Sequence, residues 1–119
     1  MNNEIQFSIT TLVHSFLRGN VRNQWLYGLE GKIYVRRRKR IHPHKAGFID
    51  TFDLANIIID ETGCGTFTNF LDWLEGVHPD LNLCIESIQT QRFMEFFKRR
   101  GYIIKGEDFC WDAWKLSEL

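Results

Sequence analysis

The segment from Thr51 to Phe67 constrains the fold of this chain more than any other. An apolar run that ends in Ile57-Ile58-Ile59 leads to Gly63-Cys64-Gly65, and an amphipathic helix begins directly afterwards. A continuously apolar run of this kind is typical of a strand that is covered on both faces. The order strand, Gly-x-Gly turn and helix predicts free backbone N–H groups at a helix N-terminus, where a phosphate or pyrophosphate is favoured.

The residues after Gly65 extend this segment into a β-α-β unit. Apolar side chains recur at helical spacing up to Gly76, and Pro79 follows. The stretch Leu81–Ile85 then predicts a short strand. Two strands joined through one helix are expected to lie parallel in the same sheet. The helical stripe consists of Phe67, Phe70, Leu71 and Leu74.

The rest of the chain predicts two further helices and two strand pairs. Helices are predicted from Ile5 to Leu17, which ends near Gly19-Asn20, and from about Gln91 to Arg100, whose apolar residues are assigned to the core. Strand pairs are predicted around the turns Glu30-Gly31-Lys32 and Lys105-Gly106-Glu107-Asp108, and a loop at Ile41–Gly47. The core residues of the last helix are Phe93, Met94, Phe96 and Phe97.

Length and composition predict one globular domain, 1–119, in a reducing, cytoplasmic setting. The net charge is zero, so attraction to nucleic acid or a membrane has to be local. Three cysteines without C-x-x-C spacing argue against a disulfide framework or a cysteine-based zinc site, and no metal is expected. The N-terminus does not have the pattern of a signal peptide, and no apolar run approaches the ~18 residues of a membrane span.

Two segments together resemble the GNAT superfamily of acyl-CoA N-acyltransferases. Ile58–Thr66 is similar to the strand, loop and helix around the family's acyl-CoA loop. Leu83–Tyr102 follows the family's ending, with a strand, a polar residue that opens a helix, an aromatic residue seven positions on, and a Gly-aromatic pair. The resemblance implies a GNAT-like α/β fold, with a mixed, mostly antiparallel sheet, one parallel strand pair and helices on both faces.

The resemblance also implies acetyl-CoA as cofactor and acetyl transfer to an amine by direct attack on the thioester. Ile58 and Ile59 would position the acyl group, and the loop and Thr90 would contact the cofactor. If Gly63 and Gly65 are the early glycines, Thr62 replaces the usual Arg or Gln and Phe67 replaces a later small residue. In the other register Asp60 takes the Arg or Gln position. The loop residues implied to bind are Thr62, Gly63, Cys64, Gly65, Thr66 and Phe67.

The residues at the catalytic positions resemble those of the family less than the predicted fold does. An amine nucleophile must lose a proton, and Glu86, at the end of the second parallel strand, is the best-placed base. Asp53, His42 and His44 are further candidates. Phe97 stands where many relatives have a Tyr near the leaving thiolate, so water or another group would protonate the thiolate. A catalytically inactive member that binds a partner is therefore the alternative, and the small size would suit a viral or mobile-element accessory protein.

The strongest local charge is the basic run Arg36-Arg37-Arg38-Lys39-Arg40. Strand alternation sends Arg36, Arg38 and Arg40 to one face and Arg37 and Lys39 to the other. Because neither face is expected to bury several charges, this end of the hairpin is predicted to project into solvent. It then either protects a sheet edge from aggregation or binds an anionic partner such as nucleic acid, an acidic protein or the 3′-phosphate of CoA.

Overall fold

A computed structural model describes residues 7–59 and 65–118. Its elements are α1 (Ile9–Arg18), β1 (Asn23–Gly28), β2 (Gly31–Ile41), β3 (Phe48–Ile59), α2 (Thr66–Val77), β4 (Leu83–Ile88), α3 (Gln91–Arg99), β5 (Ile103–Glu107) and β6 (Cys110–Lys115). The predicted loop of residues 60–64, which includes Asp60, Thr62, Gly63 and Cys64, lies outside these residues.

The described residues form one six-stranded sheet in the order β1-β2-β3-β4-β6-β5. Within the described ranges β3 and β4 form the parallel pair, and the other neighbouring strands are antiparallel. The predicted sheet, mixed and mostly antiparallel with one parallel pair, is confirmed. The basic run belongs to β2, which continues from the first hairpin to Ile41, and β4 ends at Ile88 and not at the predicted Ile85.

The first helix begins at Ile9, four residues later than its apolar pattern predicts. The Ser8 side chain caps the helix, because its Oγ accepts a hydrogen bond from the Thr11 backbone N–H at 3.2 Å. β1 approaches this helix so closely that a Cβ atom on Gly28 would lie 2.7 Å from Ile9 Cδ1. The N-terminal end of α1 is therefore fixed against the β1–β2 turn.

In the described residues one hydrophobic core joins three helices to a single face of the sheet, whereas the resemblance implied helices on both faces. Buried side chains of α1 and α2, together with Phe97 of α3, pack against alternate residues of the central strands. The Phe16 and Phe52 rings, for example, lie 5.9 Å apart between α1 and β3. Val35, Leu54 and Ile85 share this apolar face, so the intervening residues of the same strands lie on the opposite face, which carries charge.

Candidate functional site

The candidate site lies where the parallel strands β3 and β4 separate. Their pairing starts at Phe52 with Leu83 and stops at Leu54 with Ile85, although both strands continue. Each strand carries an irregularity just beyond this point. On β3, Ala55 has no partner in β2, because Val35 pairs with Leu54 and Tyr34 with Asn56.

On β4 the pairing with β6 shifts between Ile85 and Ile88. Ser87 adopts a φ of 56° there, and its backbone N–H donates a 3.0 Å hydrogen bond to the Asp112 carboxylate. Bulges of this kind bend a strand and turn side chains in new directions. Two bulges at the same level therefore open the sheet at this point.

A cavity of about 300 Å³ opens at the separation, on the charged face of the sheet. Its aromatic wall is the cross-strand pair Trp25 and Tyr34, whose ring centroids lie 5.3 Å apart. The polar groups belong to Arg36, Asn56, Glu86 and Ser87. Of these residues only Arg36 and Glu86 are candidates from the sequence, because strand register alone brings Trp25, Tyr34 and Asn56 next to them.

The Glu86 carboxylate is fixed in place by arginines of β2. Arg36 donates a hydrogen bond to Oε2 and Arg40 donates one to Oε1, while Arg38 lies 3.7 Å from Oε1. A carboxylate offers about four acceptor positions, so the two guanidinium hydrogen bonds leave others for a ligand in the cavity. Glu86 is thus oriented and only slightly exposed, and it stays our candidate for the base.

Asp53 lies behind Glu86 and is fully buried. Its Oδ2 accepts a 3.0 Å hydrogen bond from Arg40 Nε, and its Oδ1 accepts a 2.7 Å hydrogen bond from the Thr51 hydroxyl. Burial disfavours the charge of Arg40, but the hydrogen bond and the charges of its partners outweigh this, so the pKa of Arg40 rises above its usual value. Asp53 therefore serves as the structural partner of Arg40 and does not line the cavity.

The same burial acts on the neighbouring thiol. Cys84 is completely buried in β4 and pairs in register with Asp53. Desolvation raises the pKa of this thiol far above its usual value, and the positive charge of Arg40 offsets only part of the rise. The thiolate is the reactive form of cysteine, so Cys84 is an unreactive core residue.

The two loop histidines lie in the β2–β3 turn and do not line the cavity. The Nδ1 atom of His42 accepts hydrogen bonds from the backbone N–H groups of His44 and Lys45, both at 3.0 Å. His42 thus organises its own turn. Among residues 7–59 and 65–118 no group of three His, Cys, Asp or Glu side chains could hold a metal ion.

The part of the predicted cofactor loop that the structure describes opens α2. Gly65 is the N-cap residue and has a φ of 73°, which glycine adopts without a steric penalty. Among the residues that the structure describes, no side chain caps the first turn of α2, so Thr66 starts the helix without a capping hydrogen bond from them. Ile58 and Ile59 end the preceding strand, and Ile58 is exposed.

Phe67 and the aromatic residues of α3 form a cluster beside this turn. The Phe67 ring lies 5.6 Å from Phe93, 6.1 Å from Phe96 and 6.0 Å from Phe97. Phe97 is fully buried and also contacts Tyr102, so its predicted place in the core is confirmed. Phe93, Met94 and Phe96 are only partly buried against the same core.

Thr90 is the N-cap residue of α3. Its Oγ1 accepts a 3.2 Å hydrogen bond from the Phe93 backbone N–H, which satisfies one of the free donors at this helix end. Contact of Thr90 with a cofactor stays a prediction.

The basic run divides between the two faces of β2, as alternation predicts. The expectation that all of it projects into solvent is wrong for Arg36 and Arg40, because these two pair with Glu86 and Asp53. These contacts cannot be predicted from the basic run itself, since the acidic partners lie in other strands. Arg38 and Lys39 are exposed, and Arg37 packs on Phe16, with its guanidinium 5.0 Å from the ring.

Sequence comparisons identified no matching family model and no matching curated protein. A comparison of structures found the toxin AtaT, as a point mutant bound to the C-terminus of the antitoxin AtaR and to acetyl-CoA. The two folds superpose with a TM-score of 0.57 at 16% identity, over 75% of this chain. This chain covers 59% of the AtaT chain. The likeness shows a GNAT-like fold, and that fold class is the one the sequence predicts.

Proposed function

We propose that this chain binds acetyl-CoA and transfers the acetyl group to an amine. The separation of β3 and β4 carries the proposal, because it opens a cavity with a fixed carboxylate in the middle of the sheet. The αL turn at Gly65 follows β3 and leads into an uncapped helix, which suits an anionic group. The solved structure with the same fold, AtaT, has acetyl-CoA bound.

Each group would have a distinct task. Bound acetyl-CoA supplies an acyl group activated as a thioester. Backbone groups of Ile58 and Ile59 would orient it, and the amides of residues 62–67 would hold the pyrophosphate, which needs no particular side chain. Glu86 would accept a hydrogen bond, and then a proton, from the acceptor amine.

The cavity has an apolar part and a polar part, which would bind different parts of the acceptor. Trp25 and Tyr34 provide an apolar wall for the body of the acceptor, while Asn56 and Ser87 offer polar atoms near the strand separation. The guanidinium groups of Arg36 and Arg40 keep the Glu86 carboxylate in one position. Such fixed geometry is what an attacking group needs if it is to approach a carbonyl productively.

A second proposal is a protein that keeps this fold for interaction alone. Phe97 favours it, because this fully buried side chain has no proton to give to a leaving thiolate. AtaT is bound to a segment of a protein partner, and this chain would bind a partner of its own. Under either proposal we place the chain in the cytoplasm. The described residues contain no helix long and apolar enough to cross a membrane.

Calorimetric titration with acetyl-CoA and with desulfo-CoA tests the first proposal. We expect both ligands to bind and to stabilise the fold, by about 2.7 kcal/mol at a hundredfold excess over Kd. Release of free CoA thiol with a panel of amines then measures transfer. The absence of heat at millimolar ligand would reject the acyl-CoA site, and binding without turnover would select the second proposal.

The variant Glu86→Gln tests the candidate base. Loss of general base catalysis should lower turnover by about 10²–10⁴-fold while the affinity for desulfo-CoA stays nearly unchanged. Glu95→Gln is the matched control, because Glu95 is an exposed residue of α3 that does not line the cavity. Equal turnover of the two variants would remove Glu86 from the reaction.

A further inference from the structure

A second and larger concavity, the hairpin groove, lies at the base of the β2–β3 hairpin. It has a volume of about 1170 Å³. Its floor is the side of the hairpin that carries Arg37, Lys39 and Phe52, away from Glu86. The end of α1 and the turn between α2 and β4 form its two walls.

The hairpin groove carries a net positive charge. Five basic residues of the described chain line it, but the Arg38 side chain lies near Glu86 on the opposite face, so four basic side chains stand against the acidic Asp50 and Asp80, which leaves two excess positive charges. The groove also contains an unpaired hydrogen-bond donor, because the Nε atom of Arg37 is buried without a hydrogen bond in the described part of the chain. The basic residues are Arg18, Arg22, Arg37, Arg38 and Lys39.

Large apolar side chains accompany this charge. Phe48 is 70% exposed and pairs across the hairpin with Ile41, which is exposed as well. Leu17, Phe52 and Leu81 line the groove from its walls and floor. Exposed apolar surface rimmed by polar groups is typical of an interaction site.

The edge of β2 is open beside the groove. β1 pairs with β2 as far as Asn23 and Arg36, and the Arg37 N–H donates to the Arg22 carbonyl at 2.7 Å. Backbone groups alternate in direction along a strand, so the N–H and C=O groups of Lys39 and Ile41 point to the same side as those of Arg37. Within the described residues no strand pairs with β2 on that side beyond this point.

We propose that the hairpin groove binds an extended peptide with acidic and apolar residues, which adds a strand beside Lys39 and Ile41. Strand addition would satisfy the open backbone groups, while acidic side chains would pair with the basic lining and apolar ones would cover Phe48. Nucleic acid fits less well. Every nucleotide carries a phosphate that Asp50 or Asp80 would repel, whereas a peptide can place apolar residues beside these two acids. The open strand edge also has no matching backbone partner in a nucleic acid.

Fluorescence anisotropy with defined probes tests the proposal. The first probe is a labelled peptide of about eight residues that alternates Glu with Val, a length typical of one strand. The second alternates Lys with Val, and the third is a single-stranded DNA oligonucleotide of matching charge. We expect the acidic peptide to bind most tightly, with an affinity that falls as salt is added.

Two pairs of variants separate charge from backbone pairing. Lys39→Glu should weaken the acidic peptide about tenfold, whereas Lys105→Glu, on the exposed edge strand β5, should leave it unchanged. Ile41→Pro removes an outward N–H without changing charge and should weaken binding, whereas Ile41→Ala keeps that donor. Thermal unfolding checks that each variant is folded.

Three results would contradict the proposed peptide site. No binding of the acidic peptide at millimolar concentration, equal affinities of the two lysine variants, or tighter binding of DNA would each overturn the proposal. Titration of the Lys39→Glu variant with acetyl-CoA runs in parallel. Because Lys39 does not line the cavity at Glu86, the peptide site and the acyl-CoA site can succeed or fail independently.

Discussion

Two arginine clusters in the described part of the chain link neighbouring elements of the fold, and they differ in how deeply their carboxylates are buried. In the sheet cluster, Arg40 joins Asp53 and Glu86 across three strands. In the helix cluster, Arg100 at the end of α3 joins Asp72 and Glu75 of α2, each at 2.9 Å. The arginine side chains are similarly shielded, with 15% and 18% exposure.

The acidic side chains differ much more in solvent exposure than the arginine side chains do. Asp53 is fully buried, whereas Asp72 is 61% exposed. Water can solvate Asp72 and Arg100 if their contact breaks, but it cannot reach Asp53. Removal of a partner from a buried pair leaves an uncompensated charge, so the same kind of contact has very different consequences in the two clusters.

Their positions differ in function as well. The helix cluster fastens α3 to α2, and its atoms line neither the cavity nor the hairpin groove. The sheet cluster lies directly beside the separation of β3 and β4 and orients Glu86, the only carboxylate among residues 7–59 and 65–118 that lines the cavity. Under the proposed function, the sheet cluster therefore couples the stability of the sheet to the geometry of the site.

The largest expected effect comes from Asp53→Asn. This change keeps the size of the side chain but removes the fully buried charge that faces Arg40, while the Glu86 carboxylate that Arg40 retains is shared with Arg36. The loss should lower the free energy of unfolding by about 3–5 kcal/mol. Urea denaturation measures the loss. Asp50→Asn on the same strand is exposed and should stay within about 0.5 kcal/mol of the wild type. A loss below about 1 kcal/mol for Asp53→Asn would mean that burial does not distinguish the clusters.

The fold was largely predictable because its signals are local. Three consecutive isoleucines mark the end of β3, and the stripe from Phe67 to Leu74 marks α2. Residues close in sequence generate both patterns, and the structure confirms both. The start of α1 was predicted too early, since the capping hydrogen bond of Ser8 overrides an apolar pattern that continues towards the N-terminus.

The site was less predictable because its contacts are distant in sequence. Glu86 was chosen from its place on β4, but its partners Arg36 and Arg40 lie on β2, and only the register of three strands brings them together. The helix cluster was missed for the same reason. Basic residues such as Lys98, Arg99 and Arg100 are typical of a helix C-terminus, but nothing near them in sequence indicates that Arg100 contacts Glu75.

An intermediate effect is expected at Tyr102, whose hydroxyl donates a 2.7 Å hydrogen bond to Glu75 in the helix cluster. Burial raises the pKa of Tyr102 well above its usual value, and the hydrogen bond to Glu75 raises it further. The unfolded chain therefore loses this proton near pH ~10 while the folded chain keeps it. The stabilisation is complete below that pH and is lost as the pH rises above it.

Tyr102→Phe tests this linkage. It should cost about 1 kcal/mol at neutral pH through the lost hydrogen bond. It should also remove the part of the alkaline destabilisation that Tyr102 causes, as measured by urea denaturation between about pH 9 and about pH 11. Tyr27→Phe is the matched control, because Tyr27 is 67% exposed and should change neither quantity. Identical alkaline slopes for the wild type and Tyr102→Phe would contradict the assignment.

The smallest effect is expected for Asp72→Asn, and it sharpens the comparison most. Arg100 loses one exposed partner but keeps Glu75, so the free energy of unfolding should change by no more than about 0.5 kcal/mol. Added salt should remove even this difference, because exposed ion pairs are screened. Asp53 and Asp72 carry the same side chain and contact arginines of similar exposure. A loss at Asp72 as large as that at Asp53 would show that helix packing, and not burial of the acid, determines what these contacts contribute.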